Sequence, residues 1–294
     1  MWSLWLAAFL ALVGLSLSMT SRTEALVAQN VLDKTQAGLC ADAALARGSL
    51  ELFRPEGPAW PLDGSLIPWQ RGGCRAWIRI FNEGGKIDLN AAPEELLQGV
   101  LQKAGADEEK SLRLARAIED WRDPDSIPLP QGAEREAYES MGAVFLPRNG
   151  PFLSVAEAAL VLGMDDALFS RLEPALTVYS GASGVDLNAA PQEVLELLPE
   201  STPELVQEIL EKRKEAFLEG RLPSMAIFGP LSRHHFASSD IAFSISVAVQ
   251  EGRAREGKTL VLRPEPSESA PFRALALRPG LPPWAQAVLG EERR

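Results

Sequence analysis

No charged side chain occurs from Trp2 to Met19, and Leu4, Leu6, Phe9, Leu10, Leu12, Val13, Leu15 and Leu17 spread apolar surface around every side of a helix. At about 1.5 Å of rise per residue, that run nearly spans a hydrocarbon core of roughly 30 Å. A cleavable secretory signal would show basic residues ahead of the apolar run and a small-residue cleavage site behind it, and neither is clear. The helix does not stop where the greasy stretch stops. Beyond Ser21-Arg22-Thr23-Glu24, the positions Leu26, Val27, Val31, Leu32, Leu39, Ala43, Leu45, Leu50 and Leu52 continue without a proline until Pro55. This predicts one long helix, membrane-grade first and amphipathic second.

The second constraint is a repeat. Ile87-Asp88-Leu89-Asn90-Ala91-Ala92-Pro93-Glu94-Glu95 returns as Val185-Asp186-Leu187-Asn188-Ala189-Ala190-Pro191-Gln192-Glu193. Each copy reads as a β-branched start, an Asn able to cap a helix, and a Pro in the first turn, where a missing donor is tolerated. Glu94, Glu95 and Glu193 then sit where the helix dipole favours negative charge. The second copy runs on through Leu195, Leu197 and Leu198 to a turn at Pro199-Glu200-Ser201-Thr202-Pro203 and a helical stretch from Glu204 to Arg213. The first is longer, with Gly105-Ala106-Asp107 as its turn before Ala115, Ile118 and Trp121. Both resemble helix-hairpin-helix units, and Ser154 to Met164, ahead of Phe169 and Leu172, is a third candidate.

Such units often grip a phosphate through glycine amides. Here Glu200 stands where a glycine would expose them, and residues 86–221 hold 26 acidic against 13 basic side chains. Phosphate binding needs the opposite sign. Packing of small helical modules on one another or on a protein partner is the better reading. The whole chain, 46% apolar and 23% charged with a formal charge of −11, has the composition of a folded protein and disfavours nucleic acid or an anionic membrane surface as partner.

Between the stem and the repeats, Pro55 to Gly73 is rich in Pro and Gly and reads as a loop. Cys74 to Phe81 has strand composition, as do Ile241 to Val249, Thr259 to Arg263 and, more weakly, Phe272 to Leu277, with Gly252 to Lys258 as the connection between the second and third. The fold class is therefore α+β: a long N-terminal helix with a membrane-embedded first half and a small antiparallel sheet, interrupted by a large α-helical insert with helix-hairpin-helix or SAM-like repeats.

Candidate chemistry is sparse. Asp123-Pro124-Asp125 with Glu134 and Glu136 offers hard oxygen donors in an irregular stretch, and carboxylates two apart can converge on one cation. The alternatives are a plain turn at Asp-Pro-Asp and a helix cap at Glu134. Asp123, Asp125 and Glu134 are the candidate ligands. Cys40 and Cys74, the only cysteines, pair as a disulfide or pack as small apolar residues; sequence leaves both open. His234-His235 reads as a loop pair, since no Cys or His cluster accompanies it. Trp60, Trp69, Trp77, Trp121 and Trp284 most simply serve core and subunit contacts. No Ser/His/Asp or Cys/His constellation and no phosphate loop supports an enzyme, and no catalytic residue is assigned.

The order and spacing of several phrases then carry a specific resemblance. Ser21-Arg22-Thr23-Glu24-Ala25 with Asn30, Leu32 and Asp33, the two Asp-Leu-Asn-Ala-Ala-Pro phrases, Asp120-Trp121-Arg122-Asp123-Pro124-Asp125, Gly132-Ala133-Glu134 with Tyr138, Asn149-Gly150-Pro151-Phe152 and Leu176-Thr177-Val178 cover most of the chain. It resembles the minor pseudopilin K family of type II secretion, on a type IV pilin-like stem. The resemblance implies a noncatalytic, single-pass inner-membrane subunit at the tip of the periplasmic pseudopilus. Its implied partners are the minor pseudopilins I and J, other pseudopilus subunits and the inner-membrane secretion platform, with no nucleic acid. A membrane-anchored, competence-type DNA receptor is the alternative.

In these terms residues 1–21 are the transmembrane part of the helix, 22–54 its periplasmic part, and 55–85 a loop and the first part of the sheet. Residues 86–232 are the helical insert, 233–280 the rest of the sheet and 281–294 a tail. The resemblance also implies calcium at the carboxylates. Ordinary pseudopilins carry an acidic residue near the mature N-terminus that pairs with a neighbour's amino group, because an unpaired charge in the membrane is expensive. This chain shows none before Glu24, as suits a capping subunit. The family's leader, cut by prepilin peptidase, would lie upstream of Met1-Trp2.

Overall fold

The structure, a computed structural model, describes residues 2–54, 59–236, 242–265 and 271–291; Met1, Ile241 and residues 55–58 and 292–294, on which parts of the sequence reading fall, lie outside it. Helix α1 (Trp2–Leu52) is unbroken. Its residues are exposed as far as Leu32, and burial begins at Asp33, where the helix meets a sheet. It alone among the described helices is long and apolar enough to cross a membrane.

Strands β1 (Ile67–Arg71) and β2 (Cys74–Asn82) form a hairpin through Gly72-Gly73, both at positive φ, the conformation a two-residue hairpin turn requires. The loop expected over 55–73 is thus corrected for 67–71. The signal was hidden because Pro68 sits on an edge strand, where a missing donor is tolerated. After β2 come β3 (Ile87–Asp88), α2 (Glu94–Lys103), α3 (Glu108–Arg122), α4 (Arg135–Ser140), α5 (Asp166–Leu172), β4 (Leu176–Thr177), α6 (Gln192–Leu197) and α7 (Pro203–Leu218). The chain then returns through β5 (Phe243–Glu251), β6 (Ala254–Pro264) and β7 (Phe272–Pro279) to α8 (Ala285–Glu291). The sheet order is β1-β2-β5-β6-β7, antiparallel throughout. The long connection expected from Gly252 to Lys258 is corrected to a two-residue turn at Gly252-Arg253, with Ala254 to Lys258 already in the strand.

Period-two alternation gives this sheet two apolar faces. Ile78, Ile80, Ile245, Val247, Val249 and Leu262 pack on Ala37, Ala41, Ala44 and Leu45 of α1. The small residues let the helix backbone come close: a Cβ on Gly48 would lie 2.7 Å from Ile245 Cγ2. Cys40 and Cys74 form a disulfide between stem and hairpin, with Cα atoms 5.5 Å apart, which settles the pairing that sequence left open. On the opposite face Trp77 and Ala248 meet Trp284, Ala285 and Leu289 of α8 and the turn before it.

The helical part between β2 and β5 has its own core, built on residues such as Leu97, Leu101, Leu114, Tyr138, Leu195 and Phe228. Glu83, at the end of β2, fastens it to the sheet. Its buried carboxylate takes Lys86 Nζ at 2.7 Å and Ser244 Oγ of β5 at 2.5 Å, and also the Thr177 hydroxyl of β4. Helix pairs α2–α3 and α6–α7 follow the two repeats. The helix expected over Ser154–Met164 is corrected to a 3-10 turn, Val155–Leu160, before α5.

Candidate functional site

Both repeats begin with the same backbone device. Asp88 Oδ1 accepts the Asn90 amide at 2.8 Å, and Asp186 Oδ1 accepts the Asn188 amide at 3.0 Å. The Asp side chain therefore makes the turn, not the Asn assigned as cap, and Pro93 and Pro191 stand at the N-cap rather than in the first turn. Asn90 is used otherwise: its Nδ2 donates to the Phe152 carbonyl at 3.0 Å and its Oδ1 accepts the Phe152 amide at 2.7 Å. An arginine from the second helix of each pair holds the carbonyl of the second alanine, Arg122 on Ala92 at 2.9 Å and Arg213 on Ala190 at 2.6 Å. Glu200 has φ 62°, the left-handed conformation that favours glycine, and it pairs with Arg233 and His234. His235 accepts the Leu187 amide on Nδ1 at 3.2 Å, so the histidine pair serves the second repeat.

The carboxylates proposed as ligands do converge. One oxygen each from Asp123, Asp125 and Glu134 lies within 4.8 Å of the other two. The chain brings them together by ending α3 at Asp123, turning at Asp125, whose Oδ1 takes the Ile127 amide at 2.8 Å, and starting α4 after Glu134. Glu134 occupies the N-cap position but its side chain makes no capping bond, so that alternative is removed. Both its oxygens, together with Asp123 Oδ1, are shut from solvent without a hydrogen-bond partner. Asn149, itself at φ 51°, donates to the Asp125 carbonyl and to Ser126 Oγ, and the Gly150 amide reaches the Trp121 carbonyl at 3.2 Å.

Asp120, which the sequence reading did not single out, is a buried electrostatic neighbour of the three. It is fully buried one turn before Asp123, its Oδ1 takes the Leu129 amide at 3.1 Å, and its Oδ2 is unpartnered. The i, i+3 spacing within Asp120-Trp121-Arg122-Asp123 was the available signal. Gly132 makes room for it, since a Cβ there would lie 2.0 Å from Asp120 Oδ2.

The electrostatics are one-sided. Burial pushes the Asp120, Asp123 and Glu134 carboxyls above their ordinary range, and the neighbouring carboxylates push the same way. The nearby amides of Ala133, Asp125 and Arg135 oppose this and lose. Arg122, the nearest cation in sequence, spends its guanidinium on Leu89 and Ala92 carbonyls. An acidic cluster with buried, unpartnered oxygens and no ion-paired base among the described residues fits a hard cation.

A profile of the type II secretion system protein K family matches residues 81–181, which include the first repeat and the carboxylate cluster. The type II secretion system protein K of Klebsiella pneumoniae is 38% identical over 99 residues, 33% of this chain and 30% of that one. That of Dickeya chrysanthemi is 40% identical over 74 residues, 25% of this chain and 20% of that one. Over residues 81–181 the chain is therefore similar to type II secretion system protein K. The matched stretches span less than a third of those relatives. The likeness of fold extends much further. A chain in the crystal structure of the GspK-GspI-GspJ complex from enterotoxigenic Escherichia coli aligns over 89% of this chain and all of its own length, with a TM-score of 0.59 at 15% identity.

Proposed function

We propose that this chain is a type II secretion minor pseudopilin K that sits at the tip of the pseudopilus, assembles there with minor pseudopilins I and J, and helps to start pseudopilus assembly in support of protein export. The observation that carries the reading is a stretch similar to protein K that follows a 51-residue N-terminal helix, whose first 31 residues are exposed and contain a window apolar enough for a single-pass anchor. The anchor lies in the inner membrane, with the rest in the periplasm, where the Cys40–Cys74 disulfide persists. The other pseudopilus subunits and the secretion platform are its further partners. The helix pairs α2–α3 and α6–α7 are helix-hairpin-helix-like units of an insert spanning about residues 86–232, used for packing on protein. Its role is noncatalytic. The DNA-receptor alternative gains no support from Glu200, whose carboxylate occupies the turn where phosphate-binding amides would be needed.

Within this reading Asp123, Asp125 and Glu134, backed by Asp120, hold calcium. The ion supplies the positive charge that lets the loop between α3 and α4 close on four carboxylates. The test is genetic: deletion of this chain should stop export of a type II substrate while leaving DNA uptake intact, and re-expression of the full chain should restore export. Normal export in the deletion strain would overturn the proposal.

A further inference from the structure

The excess of acid in this chain is unevenly spread. Of the described lysines and arginines, only Arg22, Lys34, Arg71, Lys214 and Arg253 have side chains with no ion pair, hydrogen bond or ring contact among the described residues. Four of these five lie on the stem or at one end of the sheet. Gly48 of α1 packs on Ile245 near the start of β5, whereas Asp33 accepts the Arg253 amide just past its end, at 3.3 Å. Strand β5 therefore runs down the stem toward the membrane-grade half of α1. The turn Gly252-Arg253 and the neighbouring hairpin turn after Arg71 both point that way.

Lys34, Arg71 and Arg253 are exposed there, and Lys34, Arg253 and Arg255 line one depression between stem and turn. With Arg75, this end holds five basic side chains against Asp33, Glu251 and Glu256, in a chain of net charge −11. Asp33 is buried beneath the turn and spends its carboxylate on Gln29 and the Arg253 amide. The end of the head nearest the anchor is thus basic while the whole is acidic.

The reach is short. Asp33 follows Ser21 by 12 residues, about 18 Å of helix. The headgroup layer takes up about 5 to 7 Å of that. At an ordinary helix tilt of about 20° the sheet, which lies on one side of the stem, dips toward the leaflet. The gap that remains is comparable to the reach of an arginine side chain plus a screening length of about 8 Å.

We propose that this end of the sheet rests on anionic phospholipid headgroups of the leaflet from which its own stem emerges, through Lys34, Arg71 and Arg253. The inference rests on α1 being a single-pass anchor. Lysines and arginines close to a membrane are drawn to an anionic leaflet by charge, and these three have no carboxylate of their own chain to compete. The acidic remainder of the chain is repelled by the same surface, so the contact fixes which side of the head faces the membrane.

The test places the full chain in nanodiscs of phosphatidylcholine alone and of phosphatidylcholine with phosphatidylglycerol. A bimane label on Q70C, an exposed position beside Arg71, is read for quenching by a headgroup spin-labelled lipid present in both discs. Strong quenching is expected in the anionic disc only, and high salt should abolish it. R71Q and R253Q should each lower the ratio of docked to free heads about fivefold. K214Q should leave that ratio unchanged, because Lys214 follows Arg213, which binds Asp63 beside Phe81 at the far end of β2. Equal quenching in the two discs would overturn the inference while the anchor stands, as would an anionic-disc signal that R71Q and R253Q leave intact or that K214Q lowers as much. A chain that enters neither disc would overturn the anchor, and the inference with it.

Discussion

At the scale of single residues, two groups of carboxylates respond to pH in opposite directions. Glu83 is fully buried. Desolvation alone would raise its pKa, but Lys86, Ser244 and Thr177 together hold it below the ordinary 4.5. Its ionised form therefore contributes stability above the unfolded value, and that contribution is lost as pH falls through the lowered folded value. The E83Q variant leaves Lys86 without its partner and should cost about 3 kcal/mol at neutral pH, with a flatter acid limb, read by denaturant titration across pH.

Asp120, Asp123 and Glu134 are displaced upward. The folded chain then binds protons more tightly than the unfolded one, so in chelator its stability falls as pH rises from the unfolded values, near 4, through the raised folded values. Calcium should abolish that decline and raise the thermal midpoint at neutral pH, by about 2.7 kcal/mol of stabilisation at a hundredfold excess over Kd. Reversing the charge of Asp123 and Asp125 together should remove the calcium response; an unchanged response would remove the metal assignment. The three candidate ligands were legible in the sequence as hard donors in an irregular loop, whereas Asp120 offered only its i, i+3 spacing from Asp123. Its burial depends on how residues 129–133 fold over it, with Gly132 leaving the space, and that arrangement is tertiary rather than local.

At the scale of elements, the stem is held by small residues and by one covalent bond. The disulfide closes a loop with a sequence separation of 34 residues, and the loop-entropy estimate for that length is about 3 to 4 kcal/mol. Reduction, or a C40A/C74A variant, should lower stability by that order in denaturant titration. Replacing Gly48 by leucine should cost about 1 to 3 kcal/mol, because Ile245 already occupies the space a side chain needs. The strands with clear alternation, β2 and β5, were readable because both faces of the sheet are covered. Strand β1 was not, since its proline lies on an edge; nor was the start of β6, where Arg255, Glu256 and Lys258 masked the alternation. The repeats were legible as phrases while their bonding was not. Which side chain makes the turn, and which clasps a distant backbone, is decided by where Phe152 arrives.

At the scale of the whole molecule, the sheet and the helical part are joined by Glu83 to β4 and β5, by Arg213 to Asp63 and by Arg79 to Glu193, among other ties. The helical part is bulky and lies at the far end of the stem from the membrane-grade segment. That arrangement suits a subunit with nothing stacked above it. The long N-terminal helix and the α+β character followed from the uninterrupted run to Pro55 and the strand composition downstream. The side-by-side order of the strands did not, because β2 pairs with β5 across more than 150 residues of intervening chain.

The central claim is assembly with the minor pseudopilins I and J, and the most direct measurement is co-purification of the full chain with both in detergent, followed by size-exclusion chromatography with light scattering. A stable one-to-one-to-one complex is the predicted result. Elution of the chain alone, with salt-sensitive retention on DNA in a parallel assay, would contradict the account.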